Sequence, residues 1–153
     1  MADIGEIAPD FTLPDDAGNM ITLSALKPAP VVLFFYPRDN TPGCTTEAKD
    51  FTALADDFTA AGARVFGISA DSLASHDKFR DKHALGIPLL SDEEAIACSA
   101  YGVWKEKNMY GKKFMGIVRA TFVIGSDGRI AAAWPKVKVA GHAAEVLQAV
   151  QAL

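Results

Sequence analysis

Apolar and polar positions alternate along the chain with two different periods. Val31-Val32-Leu33-Phe34-Phe35-Tyr36 is apolar without interruption between Pro30 and Pro37, which predicts a central strand buried on both faces. After a loop at 37–42, Ala48, Phe51, Leu54, Ala55 and Phe58 recur at helical spacing until Gly62, so one helix of about four or five turns is predicted, closed by that glycine. The same reading predicts a second buried strand at Arg64–Ser69, a helix at 72–83, a short strand at 87–90 and a helix at 93–104. Two further strands, 117–124 and 129–134, flank a Ser126-Asp127-Gly128 turn, and an amphipathic helix at 142–153 closes the chain. Near the start, Phe11-Thr12-Leu13, a polar turn at 15–19 and Met20-Ile21-Thr22-Leu23 predict a short hairpin. Strands alternating with helices predict an α/β sandwich with antiparallel strands at one side.

Composition narrows the function classes. At 153 residues, half of them apolar or aromatic, residues 1–153 suit one domain with a substantial core. A net charge of −4 lacks the basic excess that would draw the chain to nucleic acid or an anionic membrane. Met1 to Glu6 carries two acids and no basic, apolar leader pattern, and no run approaches the ~18 apolar residues of a membrane span. A soluble, cytoplasmic protein is expected, with no nucleic-acid or membrane partner. Its two cysteines are too few for a disulfide framework, so each is either packing or chemistry.

Cys44 follows Tyr36-Pro37-Arg38-Asp39-Asn40-Thr41-Pro42-Gly43, which places it beyond the carboxyl end of a buried strand and in the first turn of the next helix. Ligands of open α/β sheets bind at that end. Unpaired N–H groups and the positive end of the helix dipole stabilise a thiolate there. Thr41 is a candidate N-cap and Pro42 fits the first helical position. The plainer alternative is a small buried residue, since free cysteine is often that. Glu47, one turn later, is by itself only a favourable first-turn carboxylate.

In Ile117-Val118-Arg119-Ala120-Thr121-Phe122-Val123-Ile124, strand alternation puts Arg119 on the face of Ile117, Thr121 and Val123. A guanidinium in an apolar layer requires an anion or strong acceptor. A thiolate at Cys44 is one partner; one of the nineteen acids is the other. His76, His83 and His142 show no ligand spacing, so no metal is expected. Tyr101 and Trp104 read as core, and Lys105, Lys107, Lys112 and Lys113 as a solvated loop.

Pro37, Thr41 and Cys44 form P-x-x-x-T-x-x-C, and with Arg119 they resemble the active-site quartet of the peroxiredoxins. Ala8-Pro9-Asp10-Phe11, Leu90-Ser91-Asp92, Tyr101-Gly102-Val103-Trp104 and Arg119-Ala120-Thr121-Phe122 extend the likeness across essentially the whole chain, to the bacterioferritin comigratory protein or PrxQ subfamily. The resemblance implies a thioredoxin-like three-layer sandwich, with a central mixed sheet and the N-terminal hairpin as an addition. It implies reduction of hydrogen peroxide and small organic hydroperoxides with no cofactor, metal or haem, and recycling by thioredoxin or another thiol donor. Cys44 is then the peroxidatic cysteine, Thr41 and Arg119 donate to the peroxide oxygens, Pro37 shields the pocket and Glu47 steadies Arg119. A monomer or weak homodimer is expected.

The chain departs from the subfamily at the resolving cysteine. Lys49 stands where many members carry one, and 72–83 contains none; Cys98 is the only other thiol. Cys98 is a possible resolving cysteine, but packing is the preferred reading, with a one-cysteine cycle completed by an external thiol. Two rival functions use the same residues: a thiol–disulfide oxidoreductase, which usually needs C-x-x-C where Glu47 stands, and a catalytically silent thioredoxin-like binding module.

Overall fold

The computed structural model describes all residues, 1–153. In chain order it forms β1 (Thr12–Pro14), β2 (Met20–Thr22), β3 (Val31–Phe35), α1 (Pro42–Ala53), α2 (Ala55–Ala60), β4 (Arg64–Ser69), α3 (Leu73–His83) and β5 (Leu89–Ser91). It continues with α4 (Ile96–Ala100), β6 (Trp104–Met109), β7 (Lys112–Ile117), β8 (Ala120–Ile124), β9 (Ile130–Trp134) and α5 (His142–Gln151).

The uninterrupted apolar run sits where its composition requires. β3 is the middle of a five-stranded sheet ordered β5-β4-β3-β8-β9, and all five of its residues are buried. It runs parallel to β4, with Val31 opposite Arg64, and antiparallel to β8, with Phe35 opposite Ala120. Alternate residues feed two cores. Val32, Phe34 and Val123 pack with Cys44, Phe51, Phe58, Phe79 and Val146 under the first three helices and α5. Leu33, Phe35 and Phe122 pack on the other side with Phe11, Leu23, Cys98 and Tyr101, from the N-terminal segment and α4. Phe34 and Phe51 stack at 4.5 Å between centroids, and full burial of one such ring is worth about 1.5–3 kcal/mol. The result is three layers about a mixed sheet, with β1 and β2 as a separate hairpin.

Four local expectations change. The helix predicted through to Gly62 breaks at Leu54 (φ −101°, ψ 8°), which separates α1 from α2. Gly62 then adopts φ +79° and closes α2, with the Ala63 N–H reaching back to the Phe58 carbonyl at 3.0 Å. The helix predicted at 93–104 shrinks to α4, because the Asp92 carboxylate draws in the N–H groups of Ile96 and Cys98 (3.0 and 2.8 Å) and Gly102 turns the chain out at φ +74°. Trp104 and the basic stretch after it form the antiparallel pair β6–β7 instead of a loop, with Trp104 opposite Ile117. Finally, the strand predicted over 117–124 is interrupted at Val118-Arg119, so Ile117 ends one sheet and Ala120 begins another.

Candidate active site

β3 ends at Phe35 and α1 begins at Pro42, and the segment between them leads into the site. Asn40 takes a left-handed conformation (φ 61°), which asparagine tolerates better than most residues. Thr41 occupies the N-cap position with extended backbone, and Pro42 follows as the first helical residue, where its missing N–H costs nothing. The Thr41 side chain does not cap the helix as expected; its hydroxyl donates to the Arg38 carbonyl at 2.9 Å. Cys44 therefore lies in the first turn of α1, with its side chain 1% exposed at the edge of the helix-side core.

Arg119 reaches this sulfur from the break between β7 and β8. Its Nη2 donates to Cys44 Sγ at 3.3 Å and its Nη1 to Glu47 Oε1 at 2.7 Å. Thr121 and Val123 share the face toward which Arg119 projects, but Ile117 packs in the opposite core. The backbone break inverts the alternation between Ile117 and Arg119, which an unbroken strand would not allow. The guanidinium carbon lies 3.8 Å and Nη2 lies 3.1 Å from where a Cβ on Gly43 would stand. A side chain at position 43 would crowd the arginine.

Glu47 is almost fully buried, and its Oε2 has no hydrogen-bond partner. Burial pushes its carboxyl up to about 7, Arg119 opposes that rise, and Asp50 adds to it. Behind the arginine, His142 Nε2 meets Thr121 Oγ1 at 2.8 Å, with its ring edge-on to Phe51 and Trp134. Burial lowers its pKa and the Arg119 charge lowers it further, against the pull of Glu145. From the hairpin side, the half-buried Lys107 lies within the electrostatic reach of both Arg119 and Cys44, so one member of the basic stretch faces the site.

The structure thus brings Cys44, Glu47 and Arg119 together, with Thr41 at the helix start and Pro37 half-buried on the bend after β3. Cys98 stands apart, 0% exposed in the core on the opposite face of the sheet. Burial and the adjacent Asp92 carboxylate push its thiol pKa up, which disfavours the nucleophilic form.

A second polar cluster lies behind the loop. Asp39 Oδ1 accepts from the Tyr36 hydroxyl at 2.7 Å, and Oδ2 accepts from Ser75 Oγ at 2.8 Å and pairs with His76 Nδ1 at 2.7 Å. Ligand atoms of Asp39, Asp71 and His76 lie within 4.8 Å of one another, the spacing of a metal site. Both ring nitrogens of His76 are already engaged, however, because Nε2 meets the Leu90 carbonyl at 2.9 Å. The sequence reading treats His76 as isolated. The signal it passes over is that His76 shares a helix stripe with the buried Phe79, three positions on, where a polar side chain must find a partner.

The AhpC/TSA family profile matches residues 4–133. A Coxiella burnetii protein named putative peroxiredoxin bcp is 50% identical over 145 residues, covering 95% of this chain and 96% of its own. The Bacillus subtilis peroxiredoxin Bcp is 47% identical over 146 residues, covering 95% and 93%. A structure of the Xanthomonas campestris bacterioferritin comigratory protein, described for its alkyl peroxide reduction activity, superimposes with a TM-score of 0.91 at 45% identity, over 99% of this chain and 96% of that one. The fold is therefore the thioredoxin-like fold of the peroxiredoxins, and this chain belongs to the AhpC/TSA family as a thiol-dependent peroxidase of the Bcp or PrxQ kind.

Proposed function

We propose that Cys44 is the nucleophile of this peroxidase and that it reduces hydrogen peroxide and small organic hydroperoxides. The observation that carries the reading is the short contact from Arg119 Nη2 to Cys44 Sγ, 3.3 Å, at the N-terminal turn of α1. A cation and a helix terminus both favour the thiolate over the thiol. The thiolate attacks one peroxide oxygen in line, a sulfur–oxygen bond forms, and the oxygen–oxygen bond breaks. The leaving oxygen departs with the electron pair and takes up a proton to give water or an alcohol, while Cys44 becomes a sulfenic acid. Arg119 and the Thr41 hydroxyl, once it turns from the Arg38 carbonyl, supply donors where charge develops, the logic of an oxyanion hole. Glu47 holds Arg119 through Nη1 while Nη2 faces the sulfur, and Pro37 shields the pocket.

An external thiol, thioredoxin or a similar donor, attacks the sulfenic sulfur, releases water and forms a mixed disulfide that a second thiol reduces. Placement of Cys98 across the sheet and the raised pKa of its thiol support a packing role and a one-cysteine cycle. Two free cysteines suit a reducing compartment such as the cytoplasm. A monomer or a weak homodimer is taken as the working form.

The test is intact-protein mass spectrometry after one equivalent of peroxide, on the wild type, Cys44→Ser and Cys98→Ala. We expect a single added oxygen in the wild type and in Cys98→Ala, and none in Cys44→Ser. An oxygen adduct on Cys44→Ser, or an internal disulfide in the wild type that thioredoxin reduces, would overturn the assignment of Cys44 or of the one-cysteine cycle respectively.

A further inference from the structure

Through Asp39 and Asn40, the segment that delivers Cys44 to α1 is tied to α3 and to the β4–α3 turn. Asp39 bonds Ser75 and His76 through its side chain, and its backbone N–H donates to Asp71 Oδ2 at 2.8 Å. Asn40 Oδ1 meets His83 Nε2 at 2.9 Å, one bond further along the same helix. Asp71 is itself held by the Ser69 hydroxyl at 2.7 Å, and its carbonyl accepts from Ser91 Oγ at 2.6 Å. Each tie is made by a residue the peroxide chemistry leaves unused.

The hydrogen-bond partners of His76 are acceptors on both sides of its ring. Asp39 accepts from the Tyr36 and Ser75 hydroxyls and, as a carboxylate, offers the imidazole a further acceptor. The Leu90 carbonyl can only accept. Two acceptors at 2.7 and 2.9 Å suit a ring with hydrogen on both nitrogens. The site is built for an imidazolium: His76 has 0% exposure, pairs with Asp39, and faces Asp71 of the adjacent turn and the Tyr36 hydroxyl at the end of β3. Burial opposes that charge, yet the Asp39 bond and charge, the Leu90 carbonyl and the Asp71 charge outweigh it and raise the pKa. Removing either partner leaves the other charge buried and unpaired, an expensive state.

We propose that His76 is a positioning residue for the peroxidase reaction: through Asp39 it locks the loop 37–41, and hence Thr41 and Cys44, in register with Arg119. The inference rests on Cys44 being the nucleophile. It predicts two opposite effects of releasing the pair. Peroxide attack needs the sulfur, the Thr41 hydroxyl and Arg119 aligned at once, and a shift of about 1 Å costs on the order of 10²-fold. Alkylation needs only access to a sulfur that is 1% exposed in the locked state. Loosening therefore slows the first and speeds the second. The pair is present while His76 is protonated and is lost as pH rises through its raised pKa.

The experiment measures, on His76→Gln, the second-order rates of Cys44 with hydrogen peroxide and with iodoacetamide, at a temperature where circular dichroism shows the variant folded. The expected result is a peroxide rate lower by about 10- to 100-fold with an alkylation rate that rises. The double variant Asp39→Asn with His76→Gln, whose amides can bond each other without charge, should recover part of the peroxide rate. If His76→Gln does not fold, the same two rates are followed on the wild type across the titration of His76 seen by 15N-histidine spectroscopy, where opposite movements are again expected. Rates that are unchanged or that fall together, or a neutral His76 at pH 7, would overturn the proposal. Peroxide consumption by Cys44→Ser would instead overturn the choice of nucleophile, so the two failures are distinguishable.

Discussion

Both cysteines of this chain are buried to the same degree, yet their surroundings have opposite sign. Cys44 sits at a helix N-terminus with a guanidinium on its sulfur, whereas Cys98 sits on α4 beside the Asp92 carboxylate, in the core across the sheet. Burial alone thus says little about reactivity. Burial raises the Cys98 thiol pKa first and Asp92 adds to it, whereas Arg119 donates to the Cys44 sulfur, and the face of the sheet decides which charges are near.

The largest effect that can test this contrast comes from the sulfur itself. Cys44→Ser should reduce peroxide consumption to background with thioredoxin as donor, at an unchanged melting temperature; retention of more than a few per cent of activity would erase the distinction between the two sites. Next is the cation. Arg119→Met should slow peroxide attack by about 10²-fold or more, the scale for losing one transition-state donor, as read by stopped-flow kinetics. A wild-type rate would mean that Arg119 serves Glu47 rather than the sulfur.

Cys98→Ala should leave turnover unaltered and instead cost about 1–3 kcal/mol in chemical denaturation, the usual range for a change in a packed core. Loss of turnover with full stability would reverse the roles assigned to the two faces. The smallest effect concerns Glu47, whose carboxyl rises to about 7 in the folded chain from an ordinary 4.5. Between those values the folded state holds a proton that the unfolded state has released, so stability falls as pH rises through this window. Glu47→Gln should flatten that slope between about pH 4.5 and 7 in thermal melts, and an equally steep slope would mean that the carboxyl is ionised throughout.

Much of the site could be read from the chain because it is local. An apolar run of strand length, a loop, then Thr41-Pro42 ahead of a periodic helix is enough to put Cys44 at a helix mouth. The predicted helix at 72–83 likewise forms, and the structure shows Ser72 as the N-cap of α3, its hydroxyl accepting from the Ser75 N–H at 3.1 Å. The β6–β7 pair was not legible for a converse reason. Most of its residues are exposed on both faces, Tyr110 at its tip to 98%, so no core imposes an alternation and its lysines look like a solvated loop.

The order of residues sets the reactive groups and their local frames: a thiol in a first helical turn after a central strand, and an arginine in an apolar run that needs an anion. Tertiary structure alone decided which charges meet. It broke the backbone at Val118-Arg119 so that the guanidinium turns to Cys44, put Cys98 on the other side of the sheet, and drew Asp39 and His76 together from separate elements. Local propensity follows from a few neighbouring residues, whereas the pairing of buried charges depends on which elements pack face to face, and the chain order does not state that.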